Sequence, residues 1–227
     1  MANYASKVLE RKLLRTLETK KLFYNEYPYK LGLYNSLAYI FREKKFRFAR
    51  EELSRLEVMV EMNKPLVLGT YRKKEYDLAT FTECKWLYKE LIKRNDYKIR
   101  VEYPMLQLYS QDKDWLLYIA SQVNAPTEFY EPPVILAKNT ILVEKPSDYQ
   151  YRITLNSKPD PSLAKWIQNN PKLSKAGPVF LNEVANSGYS KGLYFYVRDE
   201  KILNIVGLML GSLGRVDKIV CKQDLDK

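Results

Sequence analysis

Leu106-Gln107-Leu108-Tyr109-Ser110-Gln111-Asp112 and Leu193-Tyr194-Phe195-Tyr196-Val197-Arg198-Asp199 share one pattern. Each is an extended, alternating run that ends on an aspartate. A helical period follows each aspartate, over Asp112 to Val123 and over Glu200 to Leu210, and a further strand follows each helix, at Thr127–Tyr130 and Val216–Lys222. The aspartate has a local reason to stand there. A carboxylate at a helix start accepts backbone N–H bonds and meets the positive end of the helix dipole. Strand–Asp–helix–strand is common enough that the repeat alone does not establish a duplication.

Outward from these two units the chain keeps alternating. Tyr29 to Phe41 reads as a strand or hairpin with a bend at Asn35-Ser36, and Phe46 to Met62 as a helix with apolar positions Phe46, Ala49, Leu53, Leu56 and Val60. Pro65 ends that helix, because the residue before a proline is driven out of the helical region. Leu66 to Tyr71 reads as a short strand and Arg72-Lys73-Lys74 as a basic turn. Thr80 or Thr82 is the expected cap of a helix running to about Arg94. Tyr97 to Ser110 is extended, with Pro104 marking a break or bulge. Later strands are expected at Ile141–Glu144 and Tyr149–Leu155. Pro161 suits the first position of the next helix, and 172–190 carries no clear period. Val8, Leu9, Leu13, Leu14 and Leu17 have helical spacing, which predicts an N-terminal helix over 5–22.

Strand–helix–strand alternation in each half, with too few connections for a doubly wound sheet, points to an α+β fold. It predicts two modules of the ferredoxin-like type, antiparallel sheets with helices on one face, plus the N-terminal helix. Glu131-Pro132-Pro133 is the linker candidate. The expected organisation is a basic helical arm at 1–26, a first module at 27–133 and a second at 134–227. Each module, at roughly 90 to 100 residues, is large enough to bury its own core.

Composition narrows the function. The chain has 227 residues, no histidine, two cysteines and a net charge of +11. The first fifty residues hold twelve Lys or Arg against four Glu, a balance of +8, whereas 101–150 hold three Lys against seven acids. A concentrated basic region is the footprint of a polyanion partner. The missing histidine removes the commonest acid–base group and the commonest metal ligand. Cys84 and Cys221 cannot build a four-ligand zinc site and read as reduced, buried thiols in an intracellular setting. No apolar run is long enough to span a membrane, and Met1 to Leu17 lacks the apolar core of a secretory signal.

The basic cluster is Arg42, Lys44, Lys45, Arg47 and Arg50, interleaved with Phe41, Phe46 and Phe48, and Arg72, Lys73 and Lys74 extend it if the two turns lie on one side. Cations among exposed rings suit single-stranded nucleic acid. The alternative is a solvated helix start whose phenylalanines point into the core. Nineteen tyrosines admit the same two readings, base stacking or semi-polar packing. The carboxylates Glu51-Glu52, Asp112 with Asp114, and Asp199-Glu200 read as helix-start charges, since none is joined by the second acidic cluster a two-metal nuclease needs. Gly207, Gly211 and Gly214 lack the Lys-Ser/Thr ending of a phosphate-binding loop and follow a helix instead of opening one. Close packing and a helix stop explain them. No catalytic residue, metal or cofactor is expected.

Tyr27-Pro28-Tyr29-Lys30-Leu31 through Phe46-Arg47-Phe48-Ala49-Arg50-Glu51-Glu52-Leu53, with Tyr97–Tyr103 and Tyr194–Lys201, resembles uncharacterised proteins of tailed phages. The resemblance covers about half the chain and implies a viral origin, hence the host cytoplasm or a virion, without implying an activity. The chain is also similar, more weakly, to CRISPR RNA-processing proteins with paired ferredoxin-like folds and a C-terminal glycine-rich loop. Here the glycines fall in a helix and its stop, and the histidine many such nucleases use is missing. The first expectation is a non-enzymatic nucleic-acid-binding protein, for DNA or RNA, that contacts phosphates through its basic N-terminal third. The second is a virion structural or assembly protein whose basic arm meets genome or a neighbouring subunit, with the helix at 5–22 docking on a protein partner. The third is a metal-independent endoribonuclease.

Overall fold

The computed structural model describes residues 14–42, 46–68, 74–124, 127–212 and 214–225. They form two compact units. The first takes the chain up to Thr19 and then Glu26–Ile135; the second takes Lys20–Asn25 and the chain from Leu136 onward.

The first unit contains β1 (Leu14–Glu18), β2 (Tyr29–Tyr34), a 3-10 turn at Ala38–Arg42, α1 (Arg47–Glu61), the hairpin β3 (Leu66–Leu68) and β4 (Lys74–Tyr76), α2 (Leu78–Leu91), β5 (Tyr97–Glu102), β6 (Met105–Ser110), α3 (Lys113–Gln122) and β7 (Thr127–Glu131). Its large sheet runs β1-β7-β2-β6-β5. Strands β7, β2, β6 and β5 are antiparallel throughout. Apart from β1 and the small hairpin, they are the fourth, first, third and second strands in chain order. That is the ferredoxin-like arrangement. Strand β1 extends the sheet by pairing parallel to β7.

The second unit contains β8 (Thr140–Val143), β9 (Tyr151–Thr154), α4 (Ser162–Asn169), β10 (Ser174–Ala176), α5 (Pro178–Ala185), β11 (Tyr194–Val197), α6 (Glu200–Leu210) and β12 (Arg215–Cys221). Its sheet runs β10-β11-β9-β12-β8. Read from β12, this is again fourth, first, third, second, all antiparallel, and β8 adds to the edge parallel to β12. The chain therefore uses one topology twice, down to the extra parallel edge strand.

The repeated aspartates start corresponding helices. Asp112 Oδ1 accepts the Trp115 N–H at 2.9 Å and Asp199 Oδ1 accepts the Ile202 N–H at 3.0 Å. Helix α2 is capped by Asp77, which accepts the Thr80 N–H at 2.6 Å, one turn before the expected threonine cap. The two cores are separate. Leu31, Leu33, Leu108 and Phe129 meet Leu56, Leu87 and Leu116 of the first unit's helices, and Ile153, Phe195 and Val197 meet Leu163, Phe180 and Val206 in the second. Full burial of each such side chain stabilises the fold by roughly 1.5–3 kcal/mol before entropy is counted.

Three expectations need correction. The helix over 5–22 does not form over the part described, because Leu14–Glu18 is a strand. An edge of β7 left open would carry unpaired N–H and C=O groups, and parallel pairing satisfies them whatever the local period; residues 5–13 lie outside the described residues. Of the arm expected over 1–26, the described residues 14–26 hold no helix, since β1 belongs to the first sheet, and residues 1–13 lie outside the described residues. Lys20–Asn25 joins the second unit: the Lys20 C=O accepts the Leu142 N–H at 2.7 Å, and Asn25 Nδ2 donates to Asn139 Oδ1 at 2.7 Å. Finally, the strand from Tyr29 ends at Tyr34, where Asn35 Oδ1 accepts the Leu37 N–H at 2.8 Å and turns the chain into the 3-10 segment. The unassigned stretch 172–190 holds β10 and α5. Gly211 ends α6 at φ 68°, and a Cβ on Gly214 would sit 1.8 Å from the Thr154 carbonyl oxygen, so close packing and a helix stop account for both glycines.

Candidate nucleic-acid interface

Of the eight expected contact residues, Arg42, Arg47, Arg50 and Lys74 are described; Lys44, Lys45, Arg72 and Lys73 lie outside the described residues. Arg42 closes the 3-10 turn, Arg47 opens α1 and Arg50 follows three residues later, which places Arg47 and Arg50 on neighbouring positions of the helix surface. All three are exposed. Arg47 Nε donates to Glu51 Oε1 at 2.9 Å, so its charge is shared along the helix. Arg42 and Arg50 make no ion pair among the described residues.

The interleaved rings face inward. Phe41 is fully buried, Phe46 meets Phe41 and Tyr88 edge-on at 6.1 and 6.4 Å, and Phe48 lies 6.2 Å from Tyr39. Phe41 belongs to the first core, and Phe46 and Phe48, half-buried, pack against it. The rings turn more to the core than to solvent, whereas the arginines are exposed, and exposed cations suit phosphates.

Helix α1 starts unlike its capped neighbours. Its N-cap, Phe46, holds φ 50° in the left-handed region, rare for a bulky residue. It supplies no side-chain cap, and the first turn contains no acid. The positive dipole end of the helix and the exposed arginines share one place, and both favour an anion. A hollow of about 400 Å³ beside Phe46 is lined by Tyr27, Arg94, Tyr97 and Lys98. Arg94 is already engaged. It binds Asp112 at 2.8 Å, pairs with Asp96 and lies 4.7 Å over the Trp115 ring; the Asp96 hydrogen bond is the largest cause of its raised pKa.

Lys74 opens β4. Its ammonium donates to the Tyr103 hydroxyl and lies 5.1 and 5.4 Å from the Tyr103 and Tyr76 ring centres. The Tyr103 bond is the main reason its pKa is raised. Tyr34 and Tyr103 are both half exposed here. Lys74 therefore adjoins a tyrosine pair that the sequence does not single out among its nineteen tyrosines. The available signal was their position, at the ends of strands whose pairing brings Tyr34 opposite Met105 and Tyr103 into the β5–β6 turn.

No group of three or more Cys, Asp or Glu able to hold a metal occurs among the described residues. Cys84 is buried, donates to Asn35 Oδ1 at 3.3 Å, and has its thiol pKa pushed up by burial. No described helix is long and apolar enough to cross a membrane. Comparison with protein-family models, with curated proteins and with solved structures finds no match.

Proposed function

We propose that this chain is a non-enzymatic nucleic-acid-binding protein, phage-encoded as its resemblance implies, that contacts phosphates through its basic N-terminal third. The carrying observation is the start of α1: a helix N-terminus whose N-cap Phe46 offers no side-chain acceptor and whose first turn holds no acid, beside exposed Arg42 and Arg50, which make no ion pair among the described residues. Lys44 and Lys45 adjoin it in sequence. A phosphate there would accept backbone N–H bonds and neutralise side-chain charge together. The inward phenylalanines support a contact that positions the strand without reading it.

Salt titration tests this. Each phosphate contact to a single strand adds about 0.7 to the slope of log affinity against log salt. Replacing Arg42 and Arg50 together by Ala should lower that slope by up to about 1.4 units and weaken binding alike for all sequences. Arg47→Ala should do less than either, since Glu51 already shares its charge, and Lys218→Ala should leave the slope unchanged. A double variant with wild-type affinity and slope would reduce the cluster to a solvated helix start.

A further inference from the structure

Each large sheet buries one face under its helices, and strand alternation puts the intervening residues on the other face. In the second unit Ile153 and Phe195 point into the core. The cross-strand row Lys175–Tyr196–Arg152–Asp217, on β10, β11, β9 and β12, therefore lies on the helix-free face. The next row on that face is Tyr194–Thr154–Arg215. In the first unit the corresponding row, on β5, β6, β2 and β7, is Lys98–Tyr109–Lys30–Tyr130. Tyr109 and Tyr196 each stand three residues before the capping aspartate. Lysine, tyrosine and a second cation thus recur on the same three strands of both sheets.

The two rows differ in access. Tyr109 is 4% exposed, and Lys30 lies 3.5 Å over the Tyr130 ring. Glu102 and Glu128 share that face and accept from Gln107 and Tyr130. In the second unit Tyr194 is 47% exposed, on the internal strand β11 next to the middle strand β9, and Tyr196 is partly exposed beside it. Their rings meet edge-on at 5.7 Å. The Arg152 guanidinium lies 5.2 Å from the Tyr194 ring and is held by Asp217, with Nη2 to Oδ2 at 2.6 Å. Asp217 is the one acid in β9, β10, β11 and β12. It is buried and also accepts from Arg215 Nε at 3.3 Å, so one carboxylate stands against Arg152, Arg215 and the exposed Lys175, and the charge of the face is positive.

We propose that this face of the second sheet binds single-stranded nucleic acid, with bases stacked on Tyr194 and Tyr196 and phosphates met by Lys175 and Arg215. The inference rests on the reading that the chain binds nucleic acid, and adds a site that reads unpaired bases. Exposed aromatic residues on the central strands of a four-stranded sheet can stack two or three bases, and stacking tolerates any base because each has a π-face. Asp217 is a positioning residue here, fixing Arg152 beneath the Tyr194 ring.

Fluorescently labelled oligouridine and oligothymidine, and a duplex of equal charge, are titrated into the full chain over a range of salt. Tyr194→Leu should weaken single-strand binding roughly tenfold with the salt slope unchanged, because a ring and not a charge is lost. Tyr194→Phe should bind as wild type, and duplex binding should not respond to either change. Ultraviolet cross-linking of the wild-type chain to oligouridine should label the peptide carrying Tyr194 and Tyr196, a readout independent of how the variants fold. Unchanged single-strand affinity in Tyr194→Leu, or cross-links confined to other peptides, overturns the proposal. If affinity then falls only in the Arg42 and Arg50 variant, the phosphate reading stands alone. A wild-type chain that binds none of the three nucleic acids removes both.

Discussion

Asp217 shows how much can depend on one side chain. It is buried, and it accepts from Arg152, itself only 15% exposed, as well as from Arg215. Removing it leaves a largely buried guanidinium without its counter-charge, so Asp217→Ala should cost about 3 kcal/mol or more in urea unfolding. Asp199→Ala removes only a helix cap and should cost about 1 kcal/mol. Equal losses would show that Arg152 finds other partners. Asp112 is a third case. Burial opposes its ionisation, but the Trp115 N–H and Arg94 outweigh burial and lower its pKa. Hydrogen bonds from Thr80 lower that of Asp77 as well. Both carboxyls are more acidic folded than unfolded, so their stabilisation is complete above the ordinary aspartate range near about 4. It is lost as pH falls through the lower folded values. The unfolding midpoint should drop below that range, and Asp112→Asn should make the drop shallower; an unchanged pH profile would count against the Arg94 contact. Asp112 and Asp199 are legible in the sequence because a helix-start carboxylate acts locally, whereas Asp77 caps a helix for which the sequence points to Thr80 or Thr82. The facing of Tyr194 and Tyr196 was not, because it depends on which side of the sheet the helices take.

At the scale of elements, the helices and strands that the sequence marks well are those with strong periods and local stops. The helix ended by Pro65 and those started by Asp112 and Asp199 appear within a residue or two of expectation. Strand β1 was misread because Leu13, Leu14 and Leu17 satisfy a helical period, while the decisive partner, β7, is more than a hundred residues away. Strand β10 and helix α5 went unassigned because three and eight residues are too short to show a period. The phenylalanines at Phe46 and Phe48 fitted both an exposed and an inward reading, and packing against Phe41, Tyr88 and Tyr39 decides for the inward one. The reassignment of β1 has a direct consequence. A chain lacking residues 1–18 leaves β7 as an unpaired edge, and exposed edges recruit other strands. It should melt at lower temperature than the full chain and self-associate in light scattering. A monomer of unchanged melting temperature would mean that β1 contributes nothing to the sheet.

At the scale of the whole molecule, one topology occurs twice, but the chain does not pass through the two units as successive beads. It leaves the first unit at Thr19, spends Lys20–Asn25 in the second, returns at Glu26, and crosses again after Ile135. Ile135 is fully exposed and follows the diproline, which makes this stretch the natural point of proteolytic attack. A single cut there leaves Lys20–Asn25 on the N-terminal fragment while its hydrogen bonds run to Leu142 and Asn139 of the C-terminal one. Lys20 also pairs with Glu144 at 3.4 Å. The fragments should therefore travel together in native size exclusion and separate only in denaturant. Asn25→Ala, which removes the side-chain bonds to Asn139, should hasten that separation at intermediate urea. Immediate separation of the cut wild-type chain under native conditions would mean that Lys20–Asn25 does not hold the second unit, and that the crossing is connection without cohesion.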